Sequence, residues 1–243
     1  MAIALFTDFG SQDPYVGQVK AVLARDAPRV HVIDLLNDAP PYNVKAGAHL
    51  LASLVPACPR GTVFLAVVDP GVGGARAAVV VRADGCSFVG PDNGLLSVFA
   101  ARAERARVSR IAWTPDKLSS SFHGRDLFAP VAARLATGKL PRGWLAPLDG
   151  LGVAFGERDL GEIIYVDRYG NVMTGIRAGG VSRDAKLVVN GRTLRHAPVF
   201  SSVREGELFW YENSQGLVEV AANQANAAEK LHVAIGAPVQ WAP

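Results

Sequence analysis

Phe64-Leu65-Ala66-Val67-Val68-Asp69-Pro70-Gly71-Val72-Gly73-Gly74-Ala75-Arg76 opens as an unbroken apolar run, the pattern of a strand buried on both faces. The run breaks at Asp69-Pro70-Gly71, a strong turn signal. Three glycines fall within the four positions 71–74, and Arg76 follows. A buried strand that delivers a carboxylate into a glycine-lined loop is a common way for an α/β sheet to present a site. The plainer reading makes Asp69 the cap of a structural turn and Arg76 a surface charge. The loop is not a phosphate-cradling one. It lacks the Gly-Lys-Ser/Thr ending, and it is not a Gly-x-Gly-x-x-Gly opening a helix.

Outward from this stretch the chain alternates strands and helices. Ile3–Phe6 reads as a strand, and the segment from Tyr15 to Ala24 as a helix entered through Asp13-Pro14. Val30–Leu36 is a second strand. After the rigid Pro40-Pro41-Tyr42 loop, Val44–Leu54 is helical. Residues 77–82 and 87–89 form a hairpin around Ala83-Asp84-Gly85. Pro91-Asp92-Asn93-Gly94 leads into a helix from Leu95 to about Ala103, and Phe128–Thr137 is another. Such alternation predicts an α/β N-terminal domain with a mainly parallel sheet.

The texture changes after Pro141, and residues 141–158 read as loop. From Glu162 onward only short strands appear, at 163–166, 171–174, 186–189, 192–195, 207–211, 217–220 and 232–235. A helix-like piece at 223–230 interrupts them. This predicts a smaller all-β, barrel-like C-terminal domain. The expected division is 1–155 and 156–243.

Composition narrows the partners. Apolar residues make up 49% of the 243 and charged ones 19%, which suits folded domains rather than disorder. The net charge is only +3 and no basic run is interleaved with aromatics, so nucleic acid is not an expected partner. Cys58 and Cys86 are too few for a disulfide framework and lack zinc-site spacing; they are expected to be free, buried thiols. The N-terminus has no basic region before its short apolar run, which is not the pattern of a signal peptide. No stretch reaches the roughly 18 apolar residues of a membrane span. A cytoplasmic protein is expected.

Four further stretches carry candidate chemistry. Thr7-Asp8-Phe9-Gly10 ends the first strand, where ligands bind in open α/β sheets. Asp8 there reads either as an acceptor for ribose hydroxyls or as a turn former. In Ser121-Phe122-His123-Gly124-Arg125-Asp126, His123 is loop-placed beside a glycine, and Asp126 reads as the N-cap of the next helix. The remaining histidines, His31, His49, His196 and His232, read as packing or surface residues. In Asp167-Arg168-Tyr169-Gly170-Asn171, the residues read either as a hairpin turn or as a site. In the second case Asp167 binds an ammonium and Asn171 reads a base edge. No spacing supports a metal site or a serine–histidine–aspartate triad.

The order of these motifs is more specific than any one of them. Thr-Asp-Phe-Gly, Val-Asp-Pro-Gly-Val-Gly, Pro-Asp-Asn-Gly-Leu-Leu, Phe-His-Gly-Arg-Asp, Asp-Arg-Tyr-Gly-Asn and Asn213-Ser214-Gln215-Gly216 follow one another along nearly the whole chain. In this the chain resembles the S-adenosyl-L-methionine (SAM) hydroxide adenosyltransferases, or SAM hydrolases, relatives of the fluorinating and chlorinating enzymes. The resemblance implies SAM as substrate, no cofactor, no metal, and a homotrimer with each site shared between neighbouring subunits. It implies Asp69, Arg76 and His123 as the catalytic set and Asp8 as the ribose-binding carboxylate. Tyr42 takes the place of a pocket-lining aromatic. Asp167 takes the methionine amino group, Asn171 the adenine, and Ser214 lies near the methionine carboxylate. Gln215 stands where the halogenating relatives carry arginine, and Gly124 where the fluorinating enzyme has a halide-binding serine. A SAM-dependent halogenase and a non-catalytic SAM- or adenosine-binding protein are the alternatives; the Asp69, Arg76 and His123 set favours water as the nucleophile.

Overall fold

A computed structural model describes residues 1–243. The chain forms two compact units, Met1–Glu157 and Arg158–Pro243.

The first unit is built on a seven-stranded sheet. Its elements run β1 (Ala2–Thr7), α1 (Pro14–Asp26), β2 (His31–Leu36), α2 (Val44–Leu54), β3 (Val63–Val67), β4 (Ala78–Ala83) and β5 (Cys86–Pro91). They continue with α3 (Ser97–Arg102), β6 (Ala106–Ile111), a π-turn at Gly124–Phe128, α4 (Ala129–Ala136) and β7 (Leu145–Leu148). The strand order is β2-β1-β3-β5-β4-β6-β7. All five residues of β3 are buried, as an unbroken apolar run requires. Leu23 of α1 and Phe128, Val131 and Ala132 beside or within α4 share a core with Ile3, Leu5 and Leu65 of the sheet. Pro14 occupies the first turn of α1, where its missing N–H costs nothing. Asn43 caps α2, its side chain accepting from Ala46 N at 3.0 Å.

The sheet is mixed, which corrects the mainly parallel expectation. β1 pairs parallel with β2 and β3, and β3 with β5. β4 pairs antiparallel with β5 and β6, and β6 with β7. The β4–β5 reversal is the hairpin expected from Asp84-Gly85, whose φ angles are +47° and +79°. The other two antiparallel strands escaped notice. β6, Ala-Arg-Val-Ser-Arg-Ile, is too polar to read as a buried strand. β7 carries Pro147 and lies at the sheet edge, the position where a strand tolerates proline.

The second unit comprises β8 (Leu160–Val166), β9 (Val172–Arg177), β10 (Leu187–Val189), β11 (Arg192–Leu194), β12 (Leu208–Glu212), β13 (Leu217–Ala222), α5 (Ala227–Leu231) and β14 (Val239–Trp241). A four-stranded antiparallel sheet, β12-β13-β9-β8, and a three-stranded one, β11-β10-β14, enclose Trp210, Ile163 and Leu187. Isolated bridges Glu162↔Pro238 and His196↔Trp210 link the sheets. The sheets of the unit are thus all-β as expected, two sheets joined by bridges. The strand expected at 232–235 is absent: His232 is the left-handed C-cap of α5.

Both cysteines are free, Cys86 buried and Cys58 half-buried. No helix is long and apolar enough to cross a membrane.

Candidate active site

β1 and β3 lie side by side and parallel, so their carboxyl ends reach the same edge. Asp8 follows β1, and its N–H donates to Val67 O of β3 at 3.3 Å. Asp69 emerges two residues past β3. The loop then folds back on itself, with Val72 N donating to Asp69 O at 3.2 Å. Gly73 fixes where this loop lies. Its φ is +79°, and a Cβ there would sit 2.4 Å from Ser120 O. Only glycine lets the loop press against the segment that ends in His123.

That contact assembles the candidate triad. Arg76 Nε donates to Asp69 Oδ1 at 3.2 Å and Oδ2 at 3.0 Å, and Arg76 Nη2 donates to Oδ2 at 2.5 Å. The same Nη2 lies 3.1 Å from His123 Nδ1. The two ion-paired side chains are 12% and 4% exposed, which makes Arg76 no surface charge. The guanidinium also lies over the Phe128 ring, 5.4 Å from its centroid.

His123 sits at the entry to the π-turn, a local insertion that often marks a functional position. Asp126 does not cap a helix. It accepts from Ser119 N at 2.9 Å and pairs with Arg125, which ties the histidine-bearing loop to the turn that follows.

Asp8, Asp69 and His123, with Phe9, Val67 and Gly124, line a cavity of about 160 Å³. Burial, with the Asp69 charge adding to it, pushes the Asp8 carboxyl up to about 6. Burial and then the Arg76 charge hold the His123 imidazole below its usual value. Phe9 was not singled out from sequence, yet its ring is one wall of this cavity and meets Phe122 edge-on at 5.5 Å. A Cβ on Gly124 would lie 2.6 Å from Phe9 Cζ, so the ring occupies the space a side chain would need.

The second unit gathers the remaining candidates around a cavity of about 890 Å³, lined by Asp167, Asn171, Ser214 and Gln215 among others. Asp167 serves its own turn. Its Oδ1 accepts from Tyr169 N at 2.9 Å and Asn171 N at 2.8 Å, and its Oδ2 from Asn171 Nδ2 at 2.9 Å. The hairpin reading of this segment therefore holds, and Oδ2, with one bond, keeps further acceptor capacity. Tyr211 and Glu219 line the same cavity. Sequence reading passed over both; the available signal was one acidic residue inside an otherwise apolar strand. Tyr42 lines neither cavity; it is in a left-handed conformation and 82% exposed. No group of three or more His, Cys, Asp or Glu side chains is placed to hold a metal ion.

Comparison with known proteins follows the same division of the chain. A protein from Thermus thermophilus called (R)-S-adenosyl-L-methionine hydrolase is 40% identical, over 98% of each chain. A fluorinase from an Actinoplanes species is 25% identical, over 98% of this chain and 96% of its own. The crystal structure of an uncharacterised conserved protein from Thermotoga maritima superposes with a TM-score of 0.89 at 34% identity, covering 99% of this chain and all of that one. The profile of the SAM hydroxide adenosyltransferase N-terminal domain matches residues 3–143, and that of the C-terminal domain matches residues 161–240. With one profile on each half, the chain belongs to the SAM hydroxide adenosyltransferase family.

Proposed function

We propose that the protein hydrolyses SAM to adenosine and L-methionine by in-line attack of water on C5′ of the ribose. The observation that carries this is the meeting of Asp69 and His123, both bonded to Arg76, at a small cavity that Asp8 also lines. The greater likeness to a SAM hydrolase than to a fluorinase supports water over halide.

The sulfonium leaves as a neutral thioether, so the C–S electron pair needs no acid to receive it. The demand falls on the nucleophile. A guanidinium has only donors, so the ring nitrogen of His123 that faces Arg76 is unprotonated. Its lowered pKa keeps the imidazole neutral near pH 7, with the proton on Nε2. In that tautomer His123 donates a hydrogen bond that orients the water oxygen. Asp69 accepts the proton as the O–C5′ bond forms, while the Arg76 cation lowers the pKa of the water and so favours its hydroxide-like form. Holding water and C5′ in one geometry contributes about 7–11 kcal/mol toward the barrier. No step calls on a metal ion.

Asp8 accepts the two ribose hydroxyls. In the second unit Asn171 takes the adenine edge, Asp167 the methionine ammonium, and Ser214 the methionine carboxylate. Tyr42 packs on the substrate. We further propose a cytoplasmic homotrimer in which the first unit of one subunit and the second unit of its neighbour share each site, with the two divided near residues 155–156. The exposed rings of Tyr42 and Tyr169, 82% and 72% accessible, support a surface that another subunit covers.

Incubation with SAM followed by chromatography tests the reaction. Adenosine and methionine are expected. S-adenosylhomocysteine, or a 5′-halogenated nucleoside when chloride is supplied, would overturn it. Sedimentation of the purified protein tests the trimer.

A further inference from the structure

Glu219 is the only charged residue of β13, whose six residues are all buried, and it is itself 2% exposed. A carboxylate taken out of water is costly unless its oxygens are satisfied. Both are. Glu219 Oε1 accepts from Tyr211 Oη, directly opposite on β12. Glu219 Oε2 accepts from Asn213 Nδ2 at 2.8 Å. The chain of contacts goes on outward. Asn213 Oδ1 accepts from Gln215 N and from Leu217 N, each at 3.0 Å. One buried carboxylate therefore sets the orientation of an amide, and that amide holds the turn that carries Ser214 and Gln215 at the cavity. Burial raises the Glu219 carboxyl, with Asp167 adding to the shift.

The side chains this turn offers a ligand are neutral: the Ser214 hydroxyl and the Gln215 amide. Neutral donors have no long-range charge with which to draw in a carboxylate. They bind one well only when they are held in place beforehand.

We propose that Glu219 is a positioning residue: through Asn213 it holds the Ser214–Gln215 turn in the geometry that receives the amino-acid carboxylate of the substrate. The proposal rests on SAM as that substrate. It locates carboxylate recognition in a preorganised neutral turn, with the buried glutamate as its support.

Steady-state kinetics with SAM, and adenosine as a competitive inhibitor lacking the amino-acid carboxylate, separate this role from general upkeep of the fold. For Glu219→Ala the KM for SAM should rise about tenfold while kcat stays within about twofold. The inhibition constant of adenosine should not move. Glu219→Gln should stay near wild type, because its amide oxygen accepts from Asn213 and its amide nitrogen donates to the Tyr211 oxygen. Asn213→Ala, which leaves the Glu219–Tyr211 pair intact, should reproduce the KM effect. An unchanged KM in Glu219→Ala would overturn the proposal. So would an equal loss for adenosine, or a fall in kcat alone. If Glu219→Ala does not fold, Asn213→Ala with a wild-type KM overturns it instead. A wild-type protein that makes no adenosine fails the functional reading; an active wild type with unaffected variants fails only this one.

Discussion

Arg76 Nη2 lies 3.1 Å from His123 Nδ1 while its guanidinium is also bonded to Asp69. One cation thus fixes both the tautomer of the histidine and the position of the carboxylate.

Arg76→Ala should lose both services. Turnover is expected to fall by about 100-fold or more. Stability should fall by about 3–5 kcal/mol, because the substitution leaves Asp69 buried without its partner. Single-turnover kinetics and urea unfolding read the two losses separately. Wild-type turnover in a folded Arg76→Ala protein would remove Arg76 from the mechanism.

Asp8 gives the activity a pH signature. Its carboxyl is held up at about 6 in the folded protein, and a protonated carboxyl is a poor acceptor for two ribose hydroxyls. kcat/KM should therefore rise with pH through an inflection near 6, since that ratio reports groups of the free protein. His123, with its lowered value, acts in the same direction and titrates below its usual range. Asp8→Asn should lose the inflection along with much of the activity.

The same shift bears on stability with a definite sign. Asp8 goes from an ordinary 3.8 to about 6 on folding, so the folded state binds the extra proton between those values. Stability falls as pH rises through that window and stays lower above it. The side chain is half-buried, and solvent screening reduces the effect to about 1 kcal/mol. Asp8→Asn should thus be slightly more stable than wild type at pH 7, by thermal unfolding, while less active. A less stable variant would contradict this.

Gly124→Ser tests the nucleophile pocket from the other side. The new Cβ would meet Phe9 Cζ at 2.6 Å, so the ring must move and the cavity beside His123 must change shape. Hydrolysis should fall about tenfold or more, and chloride should yield no halogenated nucleoside. Gly124→Ser combined with Phe9→Ala should recover part of the loss, because the second change frees the space. No recovery would mean that the Phe9 contact is not the cause.

Removing metals should change nothing. Dialysis against a chelator is expected to leave turnover intact. A loss restored by a divalent cation would show that the guanidinium does not polarise the water unaided.

Much of this was readable along the chain because the signals are local. Val44–Leu54 declares a helix through its apolar spacing, and its bounds match α2. Asp84-Gly85 declares a hairpin because few other pairs accept two successive positive φ angles. The order of short motifs was enough to place the family. The mixed sheet was not readable: β6 is polar and β7 is a proline-bearing edge strand, and pairing with neighbours makes them regular where their own composition does not.

The site divides the same way. Strand ends and turn chemistry singled out Asp8 and Asp69, and the family resemblance supplied the roles of Arg76 and His123. Sequence alone left open whether Arg76 was a surface charge and which group takes the proton. The first of these is answered by a contact across 47 residues of chain, made possible by the absence of a Cβ at Gly73 against Ser120. Glu219 drew no notice, because an acid within an apolar strand has meaning only once its hydrogen-bond partners are known. Residue types and local spacing determine which groups are available. Which of them share a proton, a cavity or a buried charge is set by distances that exist only after the chain has folded, since electrostatics and hydrogen bonds act through space and not along the sequence.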